Sequence, residues 1–234
     1  MTPSPIIIPK ADSRLSLSLN NAPWKEQYPY MPEVSLEIAH NGQEILLDWH
    51  VRENCTRAEA ATDGGPVWED SCVEFFFLPS PPDTILPPSD SLSLEEAAKP
   101  SAPETPPFGG AGGGSYYNIE CNCAGRLLVG YGPDRHDREM ASADIMAAIR
   151  RHSSLGDQPF PLTDGTKEWH LKMAIPLSTF FHHNLTTLNG LHARANFYKC
   201  GDKLRHPHFL TLFPIDLPHP DFHCPQFFGD IRFE

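Results

Sequence analysis

Apolar and polar residues alternate in short runs along much of this chain, the period-2 pattern of strands that bury one face. Leu15, Leu17 and Leu19 form the first such run; Val34, Leu36 and Ile38 lead into Asn41-Gly42, and Ile45, Leu47, Trp49 and Val51 lead out of it. Because Asn-Gly tolerates positive φ, this predicts a hairpin closed by a type I′ turn, with Trp49 in phase with the core. Val73, Phe75 and Phe77 alternate with Cys72, Glu74 and Phe76, while Tyr117, Ile119, Cys121 and Cys123 alternate with Tyr116, Asn118, Glu120 and Asn122 before an Ala124-Gly125 turn. Trp169, Leu171, Met173 and Ile175 predict a further strand that places Trp169 in the core, and another is expected from Leu191 to Lys199. Two stretches read as helical: residues 138–152, where Met140, Ala143, Ile145, Ala148 and Ile149 give an amphipathic face, and a single turn over Leu177–Phe181. The fold class expected is all-β, an antiparallel β-sandwich (jelly-roll or immunoglobulin-like) of roughly nine to eleven strands with one peripheral helix.

The alternation fails in two places. Residues 1–31 carry five prolines, and beyond the leucine triplet they are read as packing Trp24, Tyr28 and Tyr30 on the outside of the core. Between Pro79 and Ser115 nine prolines and five glycines fall in 37 residues. Such a stretch lacks ladder donors and apolar area, so it is expected to be a flexible, disordered insert in a strand-to-strand loop. A chain of 234 residues with 40% hydrophobic residues can build one substantial core, which makes residues 1–234 a single domain interrupted at 79–115.

Charge and cysteine usage narrow the partners. A net charge of −12, with Arg150-Arg151 the longest basic run, argues against nucleic acid, and no segment approaches the roughly 20 apolar residues of a membrane span. The six cysteines form no C-x-x-C pair, so zinc-ribbon spacing is missing and buried thiols are the expectation. Read as written, the chain is expected to be cytoplasmic; a removed leader would make it periplasmic or secreted and would allow disulfides.

The chemistry gathers around Pro66-Val67-Trp68-Glu69-Asp70-Ser71-Cys72-Val73-Glu74-Phe75-Phe76. A tryptophan raised on a Gly64-Gly65-Pro66 turn offers an apolar face to a pyranose ring, and a carboxylate on the next strand can accept hydrogen bonds from neighbouring hydroxyls. Strand parity puts Glu74, Asn118 and Glu120 on outward faces and makes Arg194, Asn196 and Tyr198 share one face. The run from Trp68 to Phe76 resembles the W-x-x-D-S-V-E-x-F strand of the family 9 carbohydrate-binding modules and their DOMON-like relatives, with one residue inserted. Tyr117-Asn118-Ile119-Glu120, Ile175-Pro176-Leu177, Arg194–Lys199 and Phe227–Phe233 are similar to the same group in the same order.

That resemblance implies non-catalytic binding of an oligosaccharide or polysaccharide, held between two tryptophans and hydrogen-bonded by Glu, Arg and Asn side chains. It further implies a role in polysaccharide degradation beside a glycoside hydrolase. Carried onto this chain, the candidate residues are Trp68, Glu74, Asn118, Glu120, Arg194 and Asn196. The second tryptophan has no counterpart; the segment Phe209–Phe213 supplies phenylalanines, and Phe213 is the candidate there. No cofactor is expected from the residues, and calcium enters only through the resemblance, since no Asp-rich loop is visible.

Two rival chemistries are legible. Glu74 and Glu120 on adjacent strands have the residue types of a glycosidase acid and nucleophile. His206, His208, His219 and His223 put four imidazoles within 18 residues, and a His-x-His pair also opens the metal motif of the cupins. Here the middle residue is Pro207, and the prolines around it indicate an irregular loop.

Overall fold

A computed structural model of the chain describes residues 4–80 and 114–234. The predicted insert at 79–115 therefore falls almost wholly outside the described residues. In chain order the strands are β1 (Ile6–Ile8), β2 (Leu15–Ser18), β3 (Glu33–His40), β4 (Glu44–Ala58), β5 (Cys72–Pro79), β6 (Tyr116–Asn122), β7 (Leu127–Gly132), β8 (Glu139–Met140), β9 (Arg150–Ser153), β10 (Phe160–Pro176), β11 (His192–Cys200), β12 (Phe209–Thr211) and β13 (Gly229–Phe233). They form two sheets. The larger runs β1-β13-β11-β5-β6-β7-β8 with β12 added on β11, and the smaller runs β2-β3-β4-β10-β9. The expected all-β sandwich is what forms, and no helix among the described residues is long and apolar enough to cross a membrane.

The alternating residues meet between the sheets. Val73, Phe75 and Phe77 of β5 join Trp49 of β4, Trp169 of β10 and Phe197 of β11 in one apolar cluster. Phe75 stacks on Phe197 with ring centroids 5.0 Å apart, and Trp49 tilts against Phe197 at 6.2 Å. One polar group enters this layer. Lys199 pairs with Glu53 at 3.0 Å, donates to His208 Nε2 at 2.8 Å, and shares Glu53 with the indole N–H of Trp169 at 2.7 Å. All four side chains are withdrawn from water. Such a buried pair fixes how the sheets dock more than it adds stability, because desolvation offsets its attraction.

Two local expectations are corrected. The β3–β4 hairpin pairs Asn41 with Glu44, and the two-residue loop is Gly42-Gln43 rather than Asn41-Gly42. Gly42 alone has positive φ, +88°, at the first loop position, which is the II′ arrangement. Asn41 instead turns its side-chain oxygen onto the N–H groups of Gln43 and Glu44 at 3.0 and 2.8 Å, a local bond that specifies the shifted turn. The helix expected over 138–152 shrinks to α1, Ala143–Ala148, capped by Ser142. Its flanks become β8 and β9, because Met140 pairs with Gly130 and Arg151 with Met173, so open sheet edges recruit residues that have good helix propensity.

The outer face of the larger sheet is not plain solvent surface. A second apolar cluster covers it, in which Phe76, Tyr116, Tyr198 and Cys72 of the sheet pack against Trp24, Phe222 and Phe228 from loops. Tyr198 and Phe222 lie face to face, 4.1 Å between centroids and 7° between planes.

Candidate functional site

The loops that cover the larger sheet leave a gap over β5, β6 and β7. The gap is a cleft of about 730 Å³, and its floor carries Glu74, Asn118, Glu120 and Cys200. Trp68 and Met140 rise on its rim, two of the four large apolar side chains left exposed among the described residues, at 39% and 47%. Tyr28, Phe209 and Phe222 from the second apolar cluster line it as well.

Trp68 sits on a short 3₁₀ turn, Val67–Glu69, whose remaining groups are tied down. Val67 is fully buried beneath it. The Trp68 carbonyl accepts from Asp202 N–H at 3.3 Å, and the Glu69 carbonyl accepts from Lys203 N–H and from Arg57. Asp70 locks the exit of the turn. Its carboxylate accepts from the N–H groups of Glu59 and Ala60 and from Asn122, and pairs with Arg57 at 2.9 Å. The backbone is therefore fixed while the indole itself stays open to the cleft. Such pre-organisation lowers the ordering cost of whatever stacks on it.

Glu74 and Glu120 face each other across β5 and β6. Burial raises both carboxyls above the ordinary carboxylate range. The neighbouring Glu120 charge pushes Glu74 further, and Glu120 itself is raised to about 7. Glu74 accepts from the Cys200 thiol at 3.0 Å, and Glu120 accepts from the Asn118 amide at 2.8 Å. That bond leaves the Asn118 carbonyl oxygen buried with no partner. Arg138 arches over the same spot. Its guanidinium lies 4.6 Å above the Tyr116 ring and donates to the carbonyls of Tyr116 and Asp134 at 2.9 and 2.8 Å, but its Nε–H has no partner. Both atoms crowd Gly130: a Cβ built there would stand 2.8 Å from Asn118 Oδ1 and 3.1 Å from Arg138 Nε.

Of the seven residues singled out from sequence, Trp68, Glu74, Asn118 and Glu120 come together at this cleft. Arg194, Asn196 and Phe213 do not line it. Parity put Arg194 and Asn196 on the right face of β11, but the chain from 212 to 228 lies across that part of the sheet. Arg194 donates to the Phe228 carbonyl at 2.7 Å, Asn196 exchanges hydrogen bonds with the backbone of Phe213, and the Phe213 ring packs on Gly229. Arg138 and Met140 went unrecognised because they fell inside the stretch read as helix. The signal that points to them is the Gly130-Tyr131-Gly132 end of a strand followed by a charged loop. Phe222 lies among prolines with no periodicity to mark it.

The four loop histidines are not gathered into a ligand set. His208 is buried on the core side with Lys199, whereas His223 bonds the Tyr116 hydroxyl at 2.8 Å on the outer face, where burial lowers its pKa to about 3. Among the described residues the convergent groups are Asp48-His50-His170 and Cys72-Glu74-Cys200. Neither is the all-oxygen set that calcium takes.

The sequence profile of Carbohydrate-binding family 9 matches residues 6–85 and 108–233. Among solved structures, a candidate carbohydrate-binding protein from Bacteroides uniformis ATCC 8492 is 39% identical over 100% of this chain and 99% of its own, with a TM-score of 0.79. A family 9 carbohydrate-binding module from Caldicellulosiruptor kristjanssonii in complex with cellotriose shares the fold at a TM-score of 0.55 and 9% identity, covering 99% of this chain and 94% of its own. The glucose complex of a family 9 module from the same organism gives 0.50 at 10% identity, over 99% and 96%. Comparison with curated proteins gives no match.

Proposed function

The chain belongs to carbohydrate-binding family 9, a family that binds carbohydrate, and we propose that the cleft over β5, β6 and β7 is where it does so. A sugar ring lies against the exposed face of Trp68, with Met140 and the aromatic wall of Tyr28, Phe209 and Phe222 bordering the remaining space. Its hydroxyls are met by Glu74, Asn118, Glu120 and Arg138, the polar side chains that line the cleft. The observation that carries this reading is an anchored, outward-facing tryptophan beside Glu74, Asn118, Glu120 and Arg138 on one cleft. The volume is in the range that holds a small ligand.

Binding without turnover is proposed on the family alone. Glu74 and Glu120, both raised by burial, serve in this reading as hydrogen-bonding partners for sugar hydroxyls. The setting we propose on the family alone is beside a glycoside hydrolase in polysaccharide breakdown.

Titration calorimetry with cello-oligosaccharides and a broader glycan panel tests the reading. Trp68→Ala is expected to weaken the best ligand by about 1 to 3 kcal/mol, the scale of an aromatic anchor, with the melting temperature unchanged. Equal affinity of wild type and variant, or no saccharide bound at all, would overturn it.

A further inference from the structure

The outer face of the smaller sheet carries a second site that the sugar cleft does not use. Asp48 and His50 alternate with the core residues Leu47, Trp49 and Val51 on β4, so both point away from the core. On the neighbouring β10, His170 stands directly across from His50 and Lys172 across from Asp48. The two imidazole rings meet edge to face with centroids 4.3 Å apart, and one ligand atom from each of Asp48, His50 and His170 lies within 4.8 Å of the other two.

The hydrogen bonding around Asp48 is incomplete in a telling way. Lys172 takes Oδ2 at 3.2 Å. Oδ1 is buried and has no hydrogen-bond partner, although His50 Nε2 is only 3.4 Å away. An imidazole nitrogen and a carboxylate oxygen at that separation, not hydrogen-bonded to each other, are placed to share a third atom. The separation is also close to the about 3 to 3.5 Å between ligand atoms that metal bonds of about 2.0 to 2.2 Å impose. His170 is exposed and His50 half-exposed, so the rings can rotate into place and the remaining coordination positions face water. Glu37 on β3 pairs with Asp48 and adds a carboxylate to the same face.

We propose that Asp48, His50 and His170 form a binding site for one borderline divalent transition-metal ion, of the copper or zinc class. Imidazole with carboxylate suits those ions, and a cross-strand histidine pair supplies two nitrogens from a rigid sheet. This site stands on the smaller sheet, apart from the cleft, and does not depend on the sugar reading.

The full chain, cleared of metal, is titrated with Cu²⁺ and separately with Zn²⁺, and the copper form is read by electron paramagnetic resonance. One saturating equivalent with two coordinated nitrogens is expected. His50→Ala and His170→Ala are each expected to weaken it by more than about 10-fold, the lower end of what losing even a supporting residue costs a metal site. His219→Ala, which changes an exposed histidine elsewhere, is the control and is expected to leave affinity within two-fold. Because His170 is exposed, its variant keeps the fold, and thermal melting checks that it has. No saturable equivalent, or a loss in only one of the two histidine variants, would overturn the proposal.

Discussion

The two faces of β5 are equally dry and do opposite things. Val73, Phe75 and Phe77 face the smaller sheet, while Cys72, Glu74 and Phe76 face the loops, and none of the six is more than 3% exposed. The inner face meets another sheet, whose own alternation supplies Trp49 and Trp169 at regular intervals, and the result is continuous apolar packing. The outer face meets irregular chain from three distant stretches, and irregular cover leaves gaps. Over Glu74 and Glu120 the cover opens, and buried carboxyls end up beside a cleft. Regular cover makes a core; irregular cover over polar strand residues leaves a cleft.

The sharpest way to break that contrast is to cut into each face in turn. Phe75→Ala removes a ring stacked on Phe197 between the sheets and is expected to cost about 3 to 5 kcal/mol in chemical denaturation, as truncated core aromatics do. Saccharide affinity of the folded protein is expected to hold, since the ring points away from the cleft. A loss under about 1 kcal/mol would mean that the inner face is loosely packed and the contrast false.

The outer face responds to pH instead. Glu120 is raised from its ordinary value to about 7 by burial, and Glu74 is raised by burial and by Glu120. A carboxyl whose folded pKa lies above its unfolded one contributes stability that is complete below the unfolded pKa and is lost as pH rises through the folded one. Wild-type stability is therefore expected to fall between about pH 5 and pH 8. Glu120→Gln removes one of the two charges and relieves the other, so its curve is expected to be flatter by up to about 3 kcal/mol, at about 1.4 kcal/mol per pKa unit. Parallel curves in urea denaturation at the two pH values would show that Glu120 is already ionised below pH 5.

How much of this could be read from the chain follows from the same contrast. Trp49, Trp169, Phe75 and Phe77 were legible because period-2 alternation encodes the inner face directly. Glu74, Asn118 and Glu120 were legible as a face, and the family resemblance marked Trp68. What parity cannot encode is which loop lies over which part of a face. Arg194 and Asn196 share the outer face with Glu74, yet residues 212–228 turned them into anchors for that loop. Arg138 was hidden for another reason: Met140, Ala143, Ile145 and Ile149 fit a helical period by composition, and pairing of Gly130 with Met140 at the sheet edge overrode it.

The smallest expected effect on stability separates site from scaffold most finely. Gly130 sits in β7 between Asn118 and Met140, with no unusual backbone angle to require glycine. Glycine inside a strand is less favourable than alanine by about 0.5 to 1 kcal/mol, so its presence calls for a reason in the space above it. That space is bounded by Asn118 Oδ1, Arg138 Nε and Met140 Sδ at 2.8, 3.1 and 3.4 Å from an added Cβ. The last two belong to side chains that can give way. Gly130→Ala is thus expected to shift stability by no more than about 1 kcal/mol in either direction, since the strand preference and the crowding oppose each other. A methyl group there also presses on Asn118 and Arg138, two of the residues that line the cleft. Saccharide affinity is expected to fall by about 1 to 2 kcal/mol, the net loss of one or two hydrogen bonds, read by calorimetry beside the Trp68→Ala variant. If affinity stays within two-fold while stability is unchanged, Asn118 and Arg138 are not where the sugar is held, and Trp68 alone would define the cleft.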